Sequence, residues 1–175
     1  MNCCVYPGSF DPFTLGHMDI VNRALKIFDR VVILICHNSA KGARFVPAEK
    51  MKECIELDMH VHFENAGHVV VDILPDRLSV IDYMSNHRKE LSNCTTILRG
   101  VRDASDITAE LRLLDQYKYF AHGIGFEFVP LIARPEFRGV SSSLVREMCR
   151  IRTIEPKDYP VPPAAHLCIM KQSLA

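Results

Sequence analysis

Residues 31–36 read VVILIC, an unbroken apolar run in which Val31, Val32, Ile33 and Ile35 are β-branched. Such a strand has no polar side to give to water, so both faces must be covered, as in a parallel sheet sandwiched between helices. Immediately upstream, MDIVNRALKIF puts Ile20, Val21, Ala24, Leu25 and Phe28 on one helical face. Before that lie Met1 to Val5, a first strand. Strand, helix, strand is the repeating unit of α/β folds.

The alternation continues. The pattern predicts a helix over about Pro47 to Leu57, a strand near Val69 to Ile73, a helix near Leu78 to Lys89 and a strand at Thr96 to Arg99. A charged helix follows from about Ser105 to Ala121, then a strand at Phe126 to Ile132 and a helix opening at Ser141 to Ser143. These units imply a Rossmann-like open parallel sheet with helices on both faces, every strand ending on the edge where such folds bind ligands. The 175 residues suit one domain, with a proline-rich and then apolar C-terminal helical tail from about residue 155.

Lys plus Arg and Asp plus Glu both number 21, so no global field argues for nucleic acid or an anionic membrane surface. The seven cysteines are scattered without a C-x-x-C pair, which reads as reduced thiols in a cytoplasmic protein. The first residues lack the basic start and long apolar run of a signal peptide, and no apolar run approaches bilayer length, so a soluble intracellular protein is expected.

Chemistry concentrates at three places on the ligand edge. YPGSFDPFTLGH, Tyr6 to His17, joins the end of the first strand to a helix start, whose unpaired N–H groups and partial positive charge suit a phosphate. Within it, Gly8 would allow close backbone approach to a ligand, Gly16 a tight entry to the helix, and His17 a ring nitrogen on the guest. TTILRGVRD, Thr95 to Asp103, ends a strand with Arg99 and Arg102, planar donor forks suited to phosphate oxygens. RGVSSSLVREM, Arg138 to Met148, sets Ser141, Ser142 and Ser143 at another helix start, a second anion cradle. Lys41, after the VVILIC strand, adds a point charge. The set offers cations without an obvious nucleophile or carboxylate dyad, which fits phosphoryl or nucleotidyl transfer by positioning and charge neutralisation. Neither G-x-x-x-x-G-K-[ST] nor G-x-G-x-x-G occurs, which disfavours a P-loop ATPase and a dinucleotide dehydrogenase.

The residues Thr14 to His17, T-L-G-H, resemble the H/T-x-G-H signature of the nucleotidyltransferase superfamily. The longer YPGSFDPFTLGHMDIV, with ILRGVRD and GVSSSLVRE, resembles the bacterial phosphopantetheine adenylyltransferase family. The resemblance implies transfer of the adenylyl group of ATP to 4′-phosphopantetheine, giving dephospho-coenzyme A and pyrophosphate. It implies that Ser9 and Phe10 hold ATP and acceptor through backbone and hydroxyl contacts, that His17 stabilises charge on the α-phosphate, and that Lys41 and Arg99 grip the acceptor phosphate. Gly100, Val101, Arg102, Glu110, Phe137, Arg138, Gly139, Val140, Ser141, Ser142 and Ser143 would hold the nucleotide, and Val80 the pantetheine arm. Magnesium would be carried mainly by ATP phosphates and water, with no dedicated protein ligands. A homohexamer inhibited by coenzyme A is implied too.

Two segments, about Asp58 to His68 and His87 to Cys94, are longer than the family's usual spacing. His60, His62 and His68 read as solvent-facing residues of an extended loop. Two other readings stand beside this one: a related transferase acting on another phosphorylated acceptor such as nicotinate mononucleotide, and a catalytically inactive nucleotide-binding regulator.

Overall fold

Strands form at Cys3–Gly8 (β1), Arg30–Ile35 (β2), Val69–Ile73 (β3), Thr96–Val101 (β4) and Glu127–Ile132 (β5). The structure, a computed structural model, describes residues 2–37, 42–63, 66–91, 94–121, 125–151 and 153–172. All pairings are parallel and the order is β3-β2-β1-β4-β5. The chain therefore winds one way from β1 to β3 and the other way through β4 and β5, and the reversal lies between β1 and β4. In open α/β sheets the ligand crevice opens at that switch point.

Alternation along the central strands sorts the core into two layers. Cys4, Tyr6, Val31, Ile33 and Ile35 face α1 (Leu15–Ala24), α2 (Ala48–His62), α5 (Ser142–Arg150) and α6 (Pro163–Gln172). Cys3, Val5, Val32 and Leu34 face α3 (Val80–Asn86) and α4 (Ala104–Phe120). Residues 31–35 are at most 1% exposed, so the VVILIC run is covered on both sides. Each such side chain contributes roughly 1.5–3 kcal/mol of burial.

Two helix boundaries differ from expectation. The second helix runs on to His62, so His60 and His62 are helical. The reason is Asp58, which is 2% exposed and accepts from Ala164 N at 2.9 Å and Ala165 N at 3.2 Å. That carboxylate caps α6, and Met59 beside it is buried in the same layer, so this turn of α2 is needed as a platform for the C-terminal helix. His68 lies in a short 3-10 turn and its Nδ1 is 2.6 Å from Asp29 O. The third helix starts two residues later than expected because Ser79 and Asp82 form a capping box at its start, and it gives way to turns at His87.

At the ligand edge, α1 is tied to the far strand. Asp19, buried on α1, pairs with Arg23 and Arg134 at 3.3 Å each, and Arg23 Nη1 donates to Ile132 O at 2.7 Å. The crevice thus has braced walls.

Candidate active site

A cleft of about 500 Å³ opens at the C-terminal ends of β1 and β4. Its lining includes Gly8, Ser9, Phe10, Thr14, Gly16 and His17 from the first motif, Arg99, Gly100, Arg102, Asp106 and Glu110 from β4 and α4, and Phe137, Val140 and Ser141 to Ser143 before and within α5. The three sequence motifs therefore meet in one place.

The first wall is backbone. Thr14 caps α1 through a reciprocal box: Thr14 Oγ1 accepts from His17 N at 3.4 Å, and His17 Nδ1 accepts from Thr14 N at 3.0 Å. Since Nδ1 spends its lone pair on that N–H, the neutral ring carries its proton on Nε2 and is a donor there. Thr14 Oγ1 is 3.0 Å from the same Nδ1 but the residue is 1% exposed, so this pair is a cap and not a nucleophile with its base. The His17 ring is held by three aromatic neighbours, Phe10, Phe13 and Tyr6, with centroids at 5.1, 5.4 and 6.4 Å.

Two glycine expectations change. A Cβ at Gly8 would stand 2.7 Å from Phe10 Cζ, so the close approach that requires glycine there is that of the Phe10 ring, at a position that also lines the cleft. Phe10 itself is 2% exposed with φ 44°, and only its backbone can serve a nucleotide. A Cβ at Gly16 would make ordinary contacts at 3.7 Å or more, so no tight entry to α1 requires glycine there.

The second wall is ionic, and its cations already have partners. Arg99 meets Glu110 with two bonds, Nε to Oε2 at 2.7 Å and Nη2 to Oε1 at 2.6 Å, while Nη1 donates to Pro7 O. Burial alone would lower the Arg99 pKa; Glu110 more than offsets this and the net direction is upward. Arg102 forks onto Asp106 at 2.8 and 3.0 Å, and this hydrogen-bonded pairing lowers the Asp106 pKa below the usual carboxylate value. Glu110 thus faces the cleft as Arg99's carboxylate partner. Asp106 was missed, although its i,i+4 spacing from Arg102 is a readable signal.

At the third motif Ser141 caps α5 by accepting from Leu144 N at 3.1 Å, Ser142 Oγ donates to Pro12 O at 2.8 Å, and Ser143 Oγ accepts from Arg146 Nη2 at 3.0 Å. The hydroxyls serve the fold, leaving the first amides of the helix as the groups suited to an anion.

Four expected residues do not line the cleft. Val101 is 1% exposed inside the core, and Val80 is buried against the opposite layer, so neither side chain reaches it. Arg138 and Gly139 form an exposed turn beside the lining residues Phe137 and Val140. Lys41 lies outside the described residues. Arg44, Asp11 and Arg146, which the sequence did not single out, turn out to hold the Ser9–Pro12 loop from behind. Among the described residues no group of three His, Cys, Asp or Glu side chains is placed to hold a metal ion.

Residues 5–148 match the cytidylyltransferase-like family. A phosphopantetheine adenylyltransferase of Thermotoga neapolitana is 38% identical over 145 residues, 82% of this chain and 81% of that one. That of Geobacter sulfurreducens is 34% identical over 159 residues, covering 91% and 87%. The chain belongs to the phosphopantetheine adenylyltransferase family. Membership makes it a nucleotidyltransferase, in agreement with a cleft built from helix starts and arginines. Plasmodium falciparum nicotinic acid mononucleotide adenylyltransferase complexed with NaAD superposes with a TM-score of 0.67 over 99% of this chain and 96% of that chain, at 16% identity. That likeness is one of fold.

Proposed function

We infer that the chain transfers the adenylyl group of ATP to 4′-phosphopantetheine, giving dephospho-coenzyme A and pyrophosphate. The kinship at 38% identity over 82% of the chain carries the choice of acceptor. The cleft supports the reaction type. An oxygen of the acceptor phosphate attacks the α-phosphorus of ATP, a new P–O bond forms, and the bond to the β-phosphate bridge breaks as pyrophosphate leaves with its electron pair. That oxygen is ionised at neutral pH, so no general base is required. His17 donates through Nε2–H to the α-phosphate, the Gly16 amide at the α1 start and the first amides of α5 receive the remaining phosphate charge, and Arg99 holds the acceptor phosphate with Lys41. Asp106 and Glu110 are engaged by arginines, so magnesium enters as part of the ATP complex, its ligands phosphate oxygens and water.

Assembly as a homohexamer and inhibition by coenzyme A belong to the same proposal. Exposed Ile107 and Leu111 on α4 and Ile132 on β5 provide apolar surface for assembly; a monomer by sedimentation would remove that part. No described helix is long and apolar enough to cross a membrane.

The test is pyrophosphate release with ATP and magnesium, comparing 4′-phosphopantetheine, nicotinate mononucleotide and glycerol 3-phosphate. Release with phosphopantetheine alone is expected. Release with another acceptor would replace the substrate, and silence with all three would favour a binding-only protein.

A further inference from the structure

Every carbonyl from Ser9 to Pro12 has a donor from elsewhere in the chain. Arg44 Nη2 donates to Ser9 O at 2.9 Å and reaches Phe10 O at 3.5 Å. Arg146 donates to Asp11 O, and Ser142 Oγ to Pro12 O at 2.8 Å. The loop answers in kind: the Asp11 carboxylate accepts from Phe45 N at 2.9 Å and Val46 N at 2.8 Å, while Arg44 Nε turns back to Val46 O at 3.0 Å. One guanidinium bonds two carbonyls in one direction and one carboxylate bonds two amides in the other, which closes a ring between the β1–α1 and β2–α2 connections.

Arg44 is half-buried and does not line the cleft, so it is no phosphate ligand itself. Its effect passes through peptide geometry. A trans peptide group is planar with N–H opposite C=O, so drawing the Ser9 and Phe10 carbonyls onto Arg44 turns the N–H groups of Phe10 and Asp11 the other way. Between those carbonyls Phe10 sits at φ 44°, a conformation that is strained for a non-glycine residue and persists only where its surroundings impose it. Arg44 Nη2, bonded to both carbonyls and anchored by Nε on Val46 O, supplies that imposition.

We propose that Arg44 is a positioning residue for nucleotide binding: it fixes the Ser9–Asp11 backbone so that its amide dipoles point at the ATP phosphates, without touching the substrate. This rests on the proposed use of ATP. Preorganised backbone donors gain their strength from being held in place before the ligand arrives.

The test is calorimetric titration of Arg44→Met and Arg44→Lys with magnesium and a non-hydrolysable ATP analogue, each beside its melting curve and its pyrophosphate-release kinetics. Arg44→Met is expected to fold, to bind the analogue about tenfold more weakly and to raise the KM for ATP in step, with the acceptor KM within about twofold of wild type. Arg44→Lys, whose single ammonium can reach the Ser9 carbonyl but lacks the second nitrogen that anchors on Val46 O, should fall between. A folded Arg44→Met that binds the analogue as wild type does would overturn the proposal. Equal rises in the KM of both substrates in step with lost stability would also overturn it. If Arg44→Met does not fold, wild-type affinity in Arg44→Lys is the overturning result. A wild-type protein that binds the analogue but turns over no acceptor would sink the proposed reaction and leave this comparison readable.

Discussion

On the proposed function the two walls of the cleft meet the same polyanion in opposite ways. On the β1–α1 side the working groups are backbone amides and one imidazole, fixed by a capping box and by clamps that reach in from behind. On the β4–α4 side the working groups are two arginines, each already forked onto a carboxylate of α4. The first wall needs no rearrangement when a phosphate arrives. The second must share or exchange its partners, since Arg99 has its Nε and both terminal nitrogens engaged before any ligand is present. Positive charge that is paid out only on binding keeps the empty cleft close to neutral and avoids burying unpaired cations.

The sharpest way to break the comparison is His17→Gln. Glutamine at the third helical position preserves a capping box while removing the imidazole donor, so the variant should keep its melting temperature and lose roughly 10²–10³ in turnover. Full activity would show that His17 is only a cap. Glu110→Gln comes next. Its carboxylate and Arg99 are 12% and 21% exposed, so breaking the fork should cost about 1–3 kcal/mol by denaturant titration and shift the acceptor KM. An unchanged midpoint would mean that the ionic wall is not held by this pair. Asp58→Ala serves as a control remote from both walls: loss of the α6 cap should cost about 1–2 kcal/mol with kinetics unaltered, and altered kinetics would point to coupling between α6 and the cleft.

Asp106→Asn should have the smallest effect, about 0–1 kcal/mol, because its partner Arg102 is 40% exposed. Its pH dependence carries the information. Arg102 lowers the Asp106 pKa in the folded state, so the stability it contributes is present above the unfolded carboxylate pKa of about 3.9 and is lost as pH falls through the lower folded value. The difference between wild type and Asp106→Asn should therefore be flat near neutrality and fade only in strong acid; fading near neutrality would contradict the pairing.

The sheet was legible because VVILIC admits no half-exposed strand, and the site because the family resemblance ties its three motifs to strand ends and helix starts. What escaped was long-range or locally disguised. Arg44 and Asp11 are 33 positions apart and meet only through the sheet order, so no spacing rule connects them. DMHVH looked like polar loop because the partner of Asp58, the start of α6, lies more than a hundred residues downstream. Nothing in SFDP says that the Phe10 ring folds back over Gly8, which leaves only the backbone of Phe10 for a ligand. The ionic wall was half legible: the arginines were plain, and the carboxylates that neutralise them were not weighed against them.

On the proposed function the cleft works by positioning, with direct transfer between two bound substrates and no adenylylated enzyme. Exchange of labelled pyrophosphate into ATP in the absence of any acceptor tests it most directly. No exchange is expected until the acceptor or the adenylylated product is added, whereas exchange by the enzyme and ATP alone would reveal a covalent intermediate and overturn direct transfer.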